Sequence, residues 1–208
     1  MDDLQFMNGL LWYLTTRDWA FEKIQNMSKG SQEPLDIQMY HYLYFSNLLG
    51  AVDYVDDYLN SVNIITIFEA ALGHDNYSYI RELRNSVVHR GLNPTALAGV
   101  TDQNHLFVFC PPVVNDRKMR KSYTCTFAYT VELAEYCNTA SNTVIFQALD
   151  GCGLFNRSDL PTKEEAFDAS RRYLEYLQKP MTQAGLENLQ KVVIKLRVED
   201  LKTILVRG

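Results

Sequence analysis

Residues 81 to 91 read Arg-Glu-Leu-Arg-Asn-Ser-Val-Val-His-Arg-Gly, and Arg84, Asn85 and His89 are residue types able to cut a phosphodiester without a metal. A guanidinium is a permanent cation whose planar fork of donors suits phosphate, and an imidazole with a pKa of about 6.5 exchanges protons near neutrality. With eleven Arg and four His in the chain, an Arg-x4-His match arises by chance about 0.2 times. Its weight therefore comes from the helix that carries it.

At about 100° per residue from Ile80, a helix places Leu83 near 300°, Val87 near 340° and Val88 near 80°. Arg84 falls at about 40°, within that apolar arc. A guanidinium in such a place calls for a buried carboxylate, an interface or a bound anion. His89 lies about 140° further round, next to Asn85, so Arg84 and His89 do not converge from one straight helix. A two-fold dimer supplies the missing geometry by bringing both copies of each residue into one cleft. The plainer account of the segment is a capped helix, in which Gly91 closes the C-terminus, Pro94 confirms the stop, and Arg90 and a protonated His89 suit the negative end of the dipole. That account leaves Arg84 unexplained.

The stretch Leu83 to Gly91 resembles the R-x4-6-H motif of the HEPN superfamily, with polar Asn85 following the arginine. The likeness covers about residues 1–150. It implies a small all-α bundle, and many such proteins are dimeric, metal-independent endoribonucleases of toxin–antitoxin, phage-defence and RNA-processing systems, with the motif lining the dimer cleft. Arg84, His89 and Asn85 are then the catalytic set, acting on RNA such as tRNA or mRNA, without cofactor or metal. An antitoxin or other defence-system partner is also implied. The chain departs from one toxin subgroup in having Val88 where a tyrosine precedes the histidine. The other reading is an inactive helical module of the same type, in which Arg84 grips a nucleotide or a partner's carboxylate.

A net charge of −5 argues against a general nucleic-acid coat, since non-specific affinity grows with the number of phosphates neutralised. The charge is unevenly spread. Arg81, Arg84 and Arg90 stand against Glu82, and Arg117, Lys118, Arg120 and Lys121 cluster in an expected turn. These make Arg81, Arg90, Arg117, Lys118, Arg120 and Lys121 candidate RNA contacts, with a solvated basic loop as the alternative for 117–121.

Composition is ordinary for a globular protein: 47% hydrophobic, 12% aromatic and 22% charged. No run of eighteen apolar residues occurs, and an acidic Met1-Asp2-Asp3 start does not suit a signal peptide, so cytoplasm without membrane association is expected. Cys110, Cys125, Cys137 and Cys152 lack C-x2-C spacing and read as buried, reduced thiols.

The elements that must position this motif follow from periodicity. Leu4, Met7, Leu10, Leu11 and Leu14, then Ala20, Phe21 and Ile24, predict a helix over 3–27. A second runs over 35–62, with Asp53, Asp56 and Asp57 in its C-terminal half. Those acids form a solvated face, or else Asp53 orients Arg84 or His89 from behind. A third begins near Asp75 and ends at Gly91. The apolar run 105–114 and the alternation over 122–130 predict one β-hairpin whose loop is the basic stretch. Thr130 is the expected N-cap of a helix to about 149 that completes a four-helix bundle. Residues 151–208 form a C-terminal extension of two helices, about 162–178 and 182–206, packed on the bundle or at a dimer interface. The fold class expected is mainly α: a HEPN-like four-helix bundle with an inserted β-hairpin at about 105–130 and additional C-terminal helices.

Overall fold

The computed structural model describes residues 3–27, 33–156, 168, 171–172 and 198–206. Two long helices, α1 (Asp3–Gln25) and α2 (Pro34–Leu59), pack along each other. Their apolar positions recur every three or four residues, so Leu10, Leu14, Leu48, Val52 and Val55 fall on facing stripes and are buried. Gly9 and Gly50 let aromatic rings cross this contact: a Cβ at Gly50 would stand 2.6 Å from the Tyr13 ring, and one at Gly9 would meet the Tyr54 ring. Pro34 opens α2 at a position where its missing N–H costs nothing, and Asn60 ends it in the left-handed region at φ 48°.

The link between the second and third expected helices contains a helix of its own, α3 (Ile64–Leu72). Asn63 caps it by accepting the Thr66 N–H at 2.9 Å, and Ile64, Phe68 and Leu72 line up at i, i+4, i+8 to face the core. Gly73 at φ 80° reverses the chain into α4 (His74–Arg90), the motif helix. Gly91 closes α4 at φ 64°, donating to the Ser86 carbonyl, as expected for a left-handed C-terminal glycine.

The single hairpin expected over 105–130 is two. β1 (Ala98–Val100) pairs antiparallel with β2 (Leu106–Val108), and β3 (Val113–Asp116) pairs antiparallel with β4 (Lys121–Thr124). Pro111 and Pro112 break the apolar run between β2 and β3, because proline cannot donate to a ladder. The basic loop does sit at the β3–β4 turn, where Arg120 takes φ 52°. α5 (Thr130–Gly151) follows. Its N-cap is Tyr129 rather than Thr130. The Thr130 hydroxyl is occupied elsewhere, 2.9 Å from His41 Nε2 inside the core.

The last described helix, α6 (Val198–Val206), packs on α5 and α1 and buries Leu201 and Leu205. This places that part of the C-terminal extension against the bundle; of the helix expected over 162–178 only 168 and 171–172, all helical, are described, and most of the one over 182–206 lies outside the described residues. The described chain is mainly helical with two small antiparallel sheets. No described helix is long and apolar enough to cross a membrane.

Candidate functional site

α4 is clamped between α2 and α3 on one side and the β3–β4 hairpin on the other. Tyr79, Ile80, Glu82, Leu83 and Ser86 are buried, and the Tyr79 hydroxyl donates to the Pro111 carbonyl at 2.7 Å. The buried arc is therefore rotated toward the hairpin relative to the one expected from apolar residues alone. Val88, expected inside, is 39% exposed, and Arg84 sits at the arc's edge, half-buried.

Arg84 Nε is nonetheless enclosed and has no hydrogen-bond partner. The acid nearest in effect is Asp53 on α2. Burial by its neighbours raises the Asp53 carboxyl above the usual carboxylate range, and Arg84 first and Arg81 second pull it back. Asp56 and Asp57 add to the upward push. The acid and the two arginines thus sense one another across the α2–α4 contact.

The motif residues divide between two sides of one unbroken helix. Arg81 lies over the Tyr77 ring, 5.6 Å from its centroid, on the side shared with Arg84 and Val88. Asn85 is half-buried and His89 exposed, about 140° from Arg84 as the helical repeat requires. Because α4 stays helical through Arg90, one chain does not bring Arg84 and His89 together. Arg90, a candidate RNA contact, is also engaged within the fold. Its guanidinium is bound internally by the Glu82 carboxylate and the Ser86 hydroxyl, where it stabilises the last turns of α4.

The tertiary structure brings the β3–β4 turn against α4. β3 and β4 pack on α4, and a cavity of about 120 Å³ between them is lined by Ser78, Arg81, Glu82, Asn85, Asp116, Met119 and Tyr123. Asp116 Oδ1 accepts the N–H groups of Lys118 and Met119 at 2.8 and 2.9 Å, which fixes the start of the loop. Arg117, Lys118, Arg120 and Lys121 are all exposed. The loop thus meets α4 through Met119, which lines the cavity together with Arg81 and Asn85.

No protein-family model, curated protein or solved structure matches this chain. The chemistry must be read from the side chains themselves.

A buried polar centre absent from the sequence expectations lies between α1 and α5. Arg17 is 1% exposed and donates to Asp18, Ser141 Oγ and Asn142 Oδ1. These bonds use its guanidinium within the fold. An arginine in the register of the core-facing leucines of α1 was the available signal. His41 is a second such group, with both ring nitrogens bonded inside the core.

Proposed function

We propose that this protein is a metal-independent endoribonuclease of HEPN type that acts as a homodimer. The observation that carries the reading is Arg84: a half-buried guanidinium with an enclosed, unbonded Nε, on the same helix as an exposed His89. Among the described residues Arg84 closes no salt bridge, which in this reading leaves its terminal nitrogens for an anion. The separation of Arg84 from His89 calls for a second copy, whose motif helix is placed across a two-fold axis.

In this reading one His89 takes the proton from the ribose 2′-hydroxyl, and the partner protomer's copy protonates the leaving 5′-oxygen. The 2′-oxygen attacks the adjacent phosphorus and leaves a 2′,3′-cyclic phosphate and a 5′-hydroxyl. Arg84 holds the phosphate and neutralises the charge developing on its oxygens, and Asn85 hydrogen-bonds the phosphate or the imidazole. Arg81 and the loop cations Arg117, Lys118, Arg120 and Lys121 track the flanking backbone. A cytoplasmic toxin–antitoxin or phage-defence role, with an antitoxin or defence partner, rests on the motif resemblance.

The second reading is a binding module without catalysis, favoured by the failure of Arg84 and His89 to converge within one chain. The deciding experiment incubates wild-type and His89→Ala protein with total RNA and a defined tRNA in EDTA and maps the fragment ends. The nuclease reading expects cyclic-phosphate or 3′-phosphate ends from wild type, with a loss of roughly 100- to 10,000-fold in the variant. Equal cleavage by both overturns the role of His89. RNA binding that depends on Arg84, without cleavage by either protein, establishes the module.

A further inference from the structure

Cys110 and Cys125 come together where the chain turns from β2 into β3 and from β4 toward α5. Two backbone hydrogen bonds hold them in place: Cys110 N–H donates to the Ala128 carbonyl at 2.9 Å, and Cys125 N–H donates to the Pro112 carbonyl at 3.2 Å. Both cysteines line one open cleft of about 440 Å³ whose other walls include Leu97, Phe109, Pro112 and Phe127. Cys110 is buried at 5% exposure, while Cys125 is half-exposed.

The two sulfurs are chemically unequal. The neighbouring Cys110 draws the Cys125 thiol below the ordinary cysteine range against the opposing effect of burial, and the Phe127 backbone assists. The neighbouring Cys125, together with burial, pushes Cys110 up. Cys125 is the more exposed of the two in the cleft, and its thiol is the one lowered toward the thiolate. Such a thiolate is the nucleophile in attack on peroxides and electrophiles.

We propose that Cys125 and Cys110 form a dithiol oxidation site for organic hydroperoxides, with Cys125 as the attacking sulfur and Cys110 as the resolving one. The Cys125 sulfur attacks the terminal peroxide oxygen, the O–O bond breaks, and the alkoxide leaves as an alcohol after taking up a proton. Cys125 is then a sulfenic acid. Cys110 loses its proton, its sulfur displaces the hydroxyl of the sulfenic acid, and one water leaves as the S–S bond forms. The dithiol supplies two electrons and the hydroperoxide accepts them. The apolar walls favour a hydrocarbon-bearing peroxide over hydrogen peroxide, since apolar surface leaves water on binding. Cys152 is a built-in reference, because it is exposed and its thiol donates to the Leu149 carbonyl at 3.2 Å outside any thiol pair.

The test treats the full-length, reduced protein with sub-stoichiometric cumene hydroperoxide, and separately with hydrogen peroxide, then maps cysteine-containing peptides by mass spectrometry without reduction. Expected is a Cys110–Cys125 cross-link, reversed by dithiothreitol, forming at least about tenfold faster than oxidation of Cys152 and faster with the organic peroxide. In Cys110→Ala, checked for folding by circular dichroism, a sulfenic acid at Cys125 accumulates and is trapped by dimedone. Equal rates with the two peroxides would overturn the ligand class. Faster oxidation of Cys152, or the absence of the cross-link from wild-type protein, would overturn the site, and the wild-type arm does not depend on any variant folding.

Discussion

Arg84 and Asp53 influence each other across the α2–α4 contact without closing a direct ion pair. A partly neutralised guanidinium binds phosphate less strongly than a free one, because the acid's field subtracts from the cation's. Asp53→Asn is expected to tighten RNA binding about two- to fivefold at low salt, roughly the effect of one unpaired charge near a protein surface, with the gain shrinking as salt screens it. Fluorescence anisotropy of a labelled RNA across a salt series measures this. Weaker binding in the variant would mean that Asp53 holds Arg84 in position.

An enclosed donor without a partner is a cost to the fold. Arg84→Met keeps the aliphatic stem against the core and removes the orphaned Nε, so stability should hold or rise by about 1 kcal/mol. Under the nuclease reading, RNA cleavage should collapse in the same variant. Arg84→Lys retains the charge but lacks the planar fork, and should restore little. Thermal melts and cleavage rates on the three proteins separate the stability effect from the functional one.

His41 gives the fold a dependence on pH. Complete burial lowers its pKa from 6.5 to about 4, although its hydrogen bond to the Ile37 carbonyl pushes the other way. The unfolded chain therefore takes up a proton at a higher pH than the folded one. The stabilisation is fully present above about 6.5 and is lost as pH falls from there to about 4, amounting to about 3 kcal/mol across that window. Urea melts at pH 7.5, 6, 5 and 4.5 should show this fall, and His41→Gln should flatten the profile. An unchanged slope in the variant assigns the acid sensitivity to other groups.

The buried Arg17 depends on its neighbours. Asn142 Oδ1 accepts from Nη1 at 2.8 Å and Asp18 holds Nε and Nη2. Asn142→Ala leaves Nη1 with Ser141 as its remaining acceptor, and should destabilise by about 1.5–3 kcal/mol, the usual worth of a hydrogen bond to a charged group. Chemical denaturation provides the measurement. A change under 0.5 kcal/mol, roughly the ordinary surface value, would show that water replaces the lost acceptor.

The sequence by itself determined the long helices and the position of the motif. Leucines at three-and-four spacing in α1 and α2 define faces that must be buried, and Gly91 with Pro94 leaves the third of the expected helices nowhere to continue. These are local facts of periodicity and capping. The short α3 is not legible because its nine residues offer little more than two turns of pattern, and the double hairpin is not because the apolar run 105–114 continues through the two prolines that end a strand.

Which residues meet was decided only in three dimensions. The hairpin covers the Tyr79, Glu82 and Ser86 side of α4, so Val88 is exposed, Arg90 is bound to Glu82 rather than to solvent, and the basic loop lies beside Arg81 and Asn85. Cys110 and Cys125 meet for the same reason. Each such contact depends on how two elements pack, and residues far apart in the chain carry no local signal of the partner that packing will give them.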